Sequence, residues 1–528
     1  MRAIGHVAFS SLPSSNRIST DYIEHPERLK GLYSWDFRND ADWKKVAALR
    51  SIPHRQDLSR ILLEQNQLYG ASKETLEAVR RIEKNSTFVV TTGQQLSIYG
   101  GCLFYFYKTI TAIKLAQKLS ALLGVDVVPI FWMEGEDHDL PEVDHLYLPG
   151  DELPLHRLGG IAPGRQPIST RALPADIEAF HSDIIAHLPR TDFMEPLAQQ
   201  LGSFYQPGRN WVEAFGRLWS YLFPGLVLLN PSDPGIKKLA RPIFQQEVQR
   251  GGKIIDVTAA RDRDLENIGY DVQVRTGYPN FFWTRDGERQ AVRHSEGRFF
   301  LAENDTEITA DLGKLDCFSP KVLLRPVVQD FLLPNLATIT GPGEIAYFAQ
   351  AEALYAAHGI TPSVVYPRAA ATILEKAALK LFAGSPPVTL DLLAKGPAAV
   401  FDRLRKAHPE EALFASALDA IHTLETDLHS IATEADTTLV GAIDTAREKI
   451  VYQITNLKNK FNRARYQRDE VLTRRIESAC AQCFPLGTPQ ERVIAGIYYL
   501  AKYGLPFLEE LHGALDIGDS MHKVLAID

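Results

Sequence analysis

No stretch of this 528-residue chain approaches the roughly 18 uninterrupted apolar residues of a membrane-spanning helix, so a membrane partner is not expected. The opening MRAIGHVAFSSLPSSNR lacks the apolar h-region of a secretory signal, which points to a cytoplasmic location. Cysteine is scarce. Cys102, Cys317, Cys480 and Cys483 are too few to staple a chain of this length and fit a reducing compartment. An excess of basic residues is also missing: 57 Lys and Arg stand against 65 Asp and Glu, for a formal charge of −8. Nothing global therefore attracts nucleic acid or anionic lipid, and no nucleic-acid partner is expected. Neither the phosphate loop G-x-x-x-x-G-K-[ST] nor the dinucleotide fingerprint occurs after a predicted strand.

What is present describes a folded globular protein, with 45% hydrophobic and 23% charged residues. A chain this long exceeds one core, so two or three units are expected. Thr87–Thr92 is a β-branched run stopping at Gly93, a helix is predicted from about Cys102 to Leu119, and a second strand begins at Val125. Strand, glycine-bearing turn, helix and strand make one βαβ unit. From Leu146 to about Gly208 the text turns rich in Pro and Gly and reads as an insertion. The α/β rhythm resumes with a helix near Trp211–Leu222, a strand at Leu226–Asn230 and a helix from Pro234 to about Arg250. Between Tyr270 and Leu312, FFWTRDGERQAVR reads as a hairpin turning at Asp286 and Gly287. LPNLATITGPGEIAYFAQ and a strand at Ser363–Tyr366 complete the core.

VVPIFWMEGEDHDLPEVDH, Val127 to His145, stands out within that core. An apolar run suited to a buried parallel strand ends abruptly in Glu134, Glu136, Asp137, His138 and Asp139, and the carboxyl ends of such strands are where open α/β sheets bind ligands. A solvated acidic turn capping a helix is the bland alternative. His138 and His145 with their neighbouring carboxylates could ligate a metal, but a spacing of seven does not match the i, i+4 pair of H-E-x-x-H, and no metal is expected. Cys480 and Cys483 form a lone C-x-x-C without a second pair, most simply incidental.

Beyond Pro387, Phe414, Ala417, Ile421, Leu424, Leu428, Ile431 and Ala435 step by three and four, the seam of a coiled coil. A second helical run carries Ile443, Ala446, Ile450, Leu457 and Phe461. The two could pair as an antiparallel hairpin or join two copies of the chain, and a homodimer is the favoured reading.

Four blocks, TTGQQLSIYGGCLFYFYKTITAIKLA, VVPIFWMEGEDHDLPEVDH, LLRPVVQDFLLPNLATITGPGEIAYFAQ and PQER with KYGLPF, together resemble the cysteine-adding enzyme family of bacillithiol biosynthesis. The resemblance implies an α/β fold: a Rossmann-like parallel-sheet core with two connecting-peptide insertions, similar to class I aminoacyl-tRNA synthetases, plus an α-helical coiled-coil domain for dimerisation. On this chain the core is expected over residues 1–385, with insertions at about 146–208 and 260–320, the coiled coil over 386–482, and a tail over 483–528 packing back on the core. The implied activity is a ligase joining the carboxyl of L-cysteine to the amine of glucosaminyl-malate, the last step to a low-molecular-weight thiol. ATP is the candidate co-substrate, although the HIGH and KMSKS signatures of true class I synthetases are missing and that likeness is one of fold. A non-catalytic scaffold recruiting a separate ligase through its coiled coil is the alternative.

Such a reaction needs an activated carboxyl, a base for the ammonium and help for the oxyanion. His138 is the candidate proton acceptor, with Asp137, Asp139 or Glu136 holding an ammonium or orienting the imidazole. Gln94, Gln95, Tyr105 and Lys108 surround the first βα turn, where Lys108 could offset a phosphate or the malate carboxylates; Trp132 joins this substrate-binding set. Gly341, Gly343 and Glu344 repeat the arrangement at another helix start, flanked by Arg325 as a carboxylate clamp and by Asn335. Arg492, Lys502 and Tyr503 could contact a nucleotide where the tail meets the helical domain. Core aromatics, surface lysines, ordinary turns and a tied-down tail are the bland counterparts.

Overall fold

The computed structural model describes residues 1–13, 16–150, 153–285, 287–308, 317–384, 386–406, 409–466, 470–518 and 520–527. Its centre is a five-stranded sheet in which every neighbouring pair is parallel. In spatial order the strands are Val364–Pro367, Asn335–Thr340, Phe88–Gln95, Val127–Glu134 and Val227–Leu229. The first core strand in the chain, Phe88–Gln95, thus lies in the middle. Its two successors run to one side and the last two strands run to the other. This is the Rossmann-like arrangement, with its topological switch between Phe88–Gln95 and Asn335–Thr340.

Each strand is an apolar run because helices cover both faces. The helix Leu103–Leu123 returns from the first strand to the second and stops where Gly124 takes a left-handed φ of 67°. Asn210 and Asp233 cap the helices Trp211–Leu222 and Pro234–Asn267 by accepting from free amides of the first turn. The second of these runs well past the expected stop near Arg250 and includes Gly251 and Gly252. The reason is packing: a Cβ on Gly251 would come within 2.7 Å of the Phe299 ring, so the glycine that reads as a breaker is a close-approach site.

Phe299 belongs to a separate antiparallel sheet ordered Phe318–Pro320, Phe281–Arg285, Glu288–Ser295 and Arg298–Leu301. The FFWTRDGERQAVR strands pair directly; of the expected turn residues, Asp286 lies outside the described residues. Residues 145–204 hold a two-stranded ribbon, His145–Tyr147 with Leu155–Arg157, and the helices Ile177–His187 and Met194–Phe204.

The helices Pro409–Ala435 and Leu439–Tyr466 pair with each other as an antiparallel hairpin within one chain. His429 meets Asp444 at 2.8 Å, Arg447 meets Glu425 at 3.3 Å and Phe414 faces Phe461. The tail returns to the beginning of the chain: His522–Ala526 pairs with Arg2–Val7 on one side and Ala371–Leu374 on the other. Gly496 in this tail sits against the helix Leu103–Leu123, and a Cβ there would overlap the Phe106 ring. Gly496→Ala should therefore lower stability by about 1–3 kcal/mol through overpacking, read as a lower urea midpoint at unchanged slope.

Candidate active site

At the carboxyl ends of the core strands the helix starts diverge, leaving a cleft of about 620 Å³. Its floor is fixed by a buried ion pair. Lys108, 1% exposed on the helix Leu103–Leu123, donates to the Glu344 carboxylate, to Gly93 O at 2.9 Å and to Gln94 Oε1 at 2.9 Å. These three acceptors use all three ammonium hydrogens, so Lys108 is a tie between two helix starts and is not free for a phosphate or malate carboxylate. Burial pulls its pKa down and Glu344 opposes that pull. Glu344 also accepts from Gly341 N at 2.7 Å, fastening the first turn of the helix Pro342–His358. Gly341 and Gly343 need no left-handed φ here; instead a Cβ on Gly343 would meet nothing within 4 Å, so its backbone faces open space.

The second wall comes from the EDHD segment. Trp132 Nε1 donates to Glu134 Oε2 at 3.0 Å, and both residues line the cleft. Burial pushes the Glu134 carboxyl up to about 7, with Arg325 opposing and the charges of Glu136 and Asp137 adding to the rise. Asp137 accepts from Gln95 Nε2 at 2.8 Å and Arg289 Nη1 at 3.2 Å. His138 stands behind it, with Nδ1 3.5 Å from Asp137 Oδ1 and its ring edge-on to Phe282; burial lowers its pKa, so the imidazole is neutral at pH 7.

Several sequence-selected residues lie elsewhere. Glu136 turns away from the cleft and pairs with Lys237 at 2.7 Å. Asp139 is exposed at the start of a short turn, outside the cleft lining. His145 pairs with Asp144 rather than with His138. Tyr105 is buried among core aromatics next to Trp219. Asn335 begins its strand, so it lies at the opposite end of the sheet from Thr340, bonded to Asp330 and Thr338. It cannot flank the cleft as Arg325 does. Lys502 and Tyr503 both bind Glu375 in a second cavity of about 980 Å³, apart from Arg492, which reaches the central cleft.

The cleft also holds groups that the sequence reading passed over. Glu134 ends the apolar strand and has no role assigned from sequence. The antiparallel sheet contributes Arg289, anchored to Ser319 Oγ and Pro320 O and stacked 4.0 Å from the Phe282 ring centroid. Lys321 follows the same sheet and is pulled down to about 8, chiefly by burial. Arg368 is held by both oxygens of Glu491, at 3.0 and 2.5 Å. The PQER block is thereby explained: Gln490 bonds the backbone of Ile373, Glu491 fixes Arg368 and Arg492 enters the cleft. Among the described residues, Lys321, Arg325 and Arg492 have no carboxylate within 4.0 Å. Arg325 instead donates to Gln329 and to the Tyr347 hydroxyl. Lys321 and Arg325 stand four residues apart in one segment, while Arg492 comes from the tail, so no local pattern could have joined it to the other two.

Residues 6–369 match the family described as bacillithiol biosynthesis BshC, N-terminal Rossmann-like domain, and residues 401–527 match the C-terminal coiled-coil domain of the same family. The chain belongs to the BshC family. Proteins named "Putative cysteine ligase BshC" from Salinibacter ruber and Koribacter versatilis are 32% and 31% identical, the first over 96% of this chain and 95% of its own length, the second over 96% of each. The relative of that name from Geobacillus thermodenitrificans is 28% identical over 98% of this chain and 99% of its own. The match to the Rossmann-like part of the BshC family spans the strands, both helix starts and the second sheet that together build the cleft.

Removing the tie tests this geometry. Lys108→Met leaves Glu344 without its cation and should cost on the order of 3 kcal/mol, whereas adding Glu344→Gln to the same chain should recover part of that loss. Urea unfolding of the two variants measures both.

Proposed function

We propose that the central cleft joins the carboxyl of L-cysteine to the amine of glucosaminyl-malate. The supporting observation is the set of three cations, Lys321, Arg325 and Arg492, that face the cleft without carboxylate partners beside a glutamate titrating near neutrality. Unpaired cations in a part-buried cleft are suited to anionic ligands, and glucosaminyl-malate carries the two carboxylates of its malate. ATP is the candidate source of carboxyl activation, and its phosphates suit the same cations. Arg289 and Gln95 hold Asp137 in place, while Trp132 orients Glu134.

In this reading the amine nitrogen attacks the activated cysteine carbonyl, the C–N bond forms, the activating group departs, and Glu134 takes the proton the nitrogen sheds. Glu134 replaces His138 as the first proton acceptor because it lines the cleft and His138 does not. His138 and Asp137 support that wall. A carboxylate with a pKa of about 7 is half in its base form at neutral pH, where general-base catalysis is most efficient.

The test is a ligation assay on the pure chain with cysteine, glucosaminyl-malate and ATP, with and without magnesium, product and nucleotide fate both read by mass. Product without nucleotide cleavage would remove ATP while leaving the ligase reading; no product under any condition would overturn it. Activity should climb with pH and level off above about 7. Glu134→Gln should lower kcat roughly 100-fold or more and abolish that limb. Wild-type turnover in Glu134→Gln combined with its loss in His138→Ala would return the role to His138.

The same substitution has a stability signature. The folded pKa of Glu134 is raised above its ordinary 4.5, so its contribution is fully present below that value and is lost as pH rises through about 7. Glu134→Gln should accordingly raise Tm at pH 8, with the gain shrinking toward pH 5.

The chain is further proposed to act as a homodimer. After the hairpin has formed, Leu424, Leu428 and Ile431 remain 54%, 40% and 63% exposed along one groove with Ile443 and Ile450. A heptad stripe that its own hairpin leaves uncovered suits a second copy of itself. Light scattering after size exclusion should give twice the chain mass at micromolar concentration, and Leu428→Glu with Ile431→Glu should give the monomer.

A further inference from the structure

Three groups outside the cleft converge where the ribbon strand Leu155–Arg157 crosses the helix Ile177–His187. His156 lies mid-strand and is 5% exposed. Asp183 and His187 are four residues apart on the helix and share one face. His156 Nδ1 is 2.6 Å from Asp183 Oδ2, and His187 Nδ1 is 3.4 Å from Asp183 Oδ1. The two imidazole centroids are 4.5 Å apart at 60°. One donor atom from each of the three residues falls within 4.8 Å of the others.

The charge balance separates this cluster from an ordinary ion pair. Among the described residues neither Lys nor Arg pairs with the Asp183 carboxylate, which lies against the two imidazoles; His187 Nδ1 also lies 2.8 Å from Asp183 O, and His156 Nε2 is buried with no partner. A second group of similar composition, Glu425, His429 and Asp444 on the coiled coil, is different: Arg447 already lies 3.3 Å from Glu425.

We infer that His156, Asp183 and His187 form a binding site for a divalent transition-metal ion of the zinc type. Two imidazoles and one carboxylate are a borderline-soft donor set, favouring zinc, cobalt, nickel or copper over magnesium and calcium. Tetrahedral bonds of about 2.0–2.1 Å place donor atoms roughly 3.3 Å apart, so the cluster must contract. His156 is fixed by packing, while the side chains of Asp183 and His187, 49% and 46% exposed, can turn to meet it. The fourth position faces solvent. A bound ion clamps the ribbon to the helix. That helix is itself tied to the first βα turn, because His181 Nδ1 lies 2.9 Å from the hydroxyl of Tyr99, a buried residue held at a left-handed φ of 51°.

The experiment uses the full chain freed of metal by chelator and titrated with Co(II) and Zn(II). One equivalent of cobalt should bind with the visible absorption of a four-coordinate ion and without a thiolate charge-transfer band, and one equivalent of zinc should raise Tm. His187→Ala and Asp183→Asn alter half-exposed side chains and should keep the fold, yet each should weaken zinc binding roughly tenfold or more. Absence of stoichiometric binding, a thiolate band, or unchanged affinity in both variants would overturn the assignment.

Discussion

The Lys108–Glu344 pair is the constraint on which the rest of the cleft depends. It joins the helices that follow Phe88–Gln95 and Asn335–Thr340, the two strands on either side of the topological switch. At a switch point consecutive helices leave the sheet on opposite sides and their starts part, which is why a crevice forms there at all. A charge pair buried in that crevice is costly to desolvate and is maintained because each remaining ammonium hydrogen has its own acceptor. The width of the cleft is then set by one side chain's reach. Trp132, Glu134, Arg325 and Gly343 take their positions relative to that fixed gap.

A chain with a net charge of −8 nevertheless builds a cationic cleft. It does so by drawing on parts distant in sequence: Arg289 and Lys321 from the antiparallel sheet, Arg325 and Arg368 from the core, and Arg492 from the tail. The tail's strand and the Glu491–Arg368 pair are thus part of the site's construction as well as of the fold's closure. Global charge describes long-range attraction. It carries no information about a groove assembled from separate segments.

The parallel strands could be read from the sequence because a strand covered on both faces must be apolar along its length, and Val127–Met133 obeys that rule. The location of the cleft followed from the abrupt change at Glu134. Which acid faces inward did not: residues two apart in a continuous strand share a side, but the strand ends at Glu134 and the backbone turns tightly at Gly135, so Glu136 leaves that face. Glu134 therefore enters the cleft while Glu136 meets Lys237. Asn335 failed for a simpler reason: it is near the GPGE turn in sequence but a full strand length away in space. Gly251 misled because a glycine marks either a helix end or a close contact, and Phe299, which decides between them, is 48 positions further on. The family resemblance, by contrast, rested on blocks spread along the whole chain, and both parts of the family description match it.

Glu134 and Arg325 form the most informative opposition in the site. Burial raises the glutamate's pKa and the guanidinium holds that rise in check. Among the described residues Arg325 has no carboxylate within 4.0 Å, and Glu134 and Glu344 are the carboxylates whose charge acts on it. An anion held by Arg325 supplies a counter-charge and displaces water from the cleft, and both effects favour the protonated form of Glu134. On the proposed reading, the carboxylate becomes a stronger base as the cleft fills with anionic ligand.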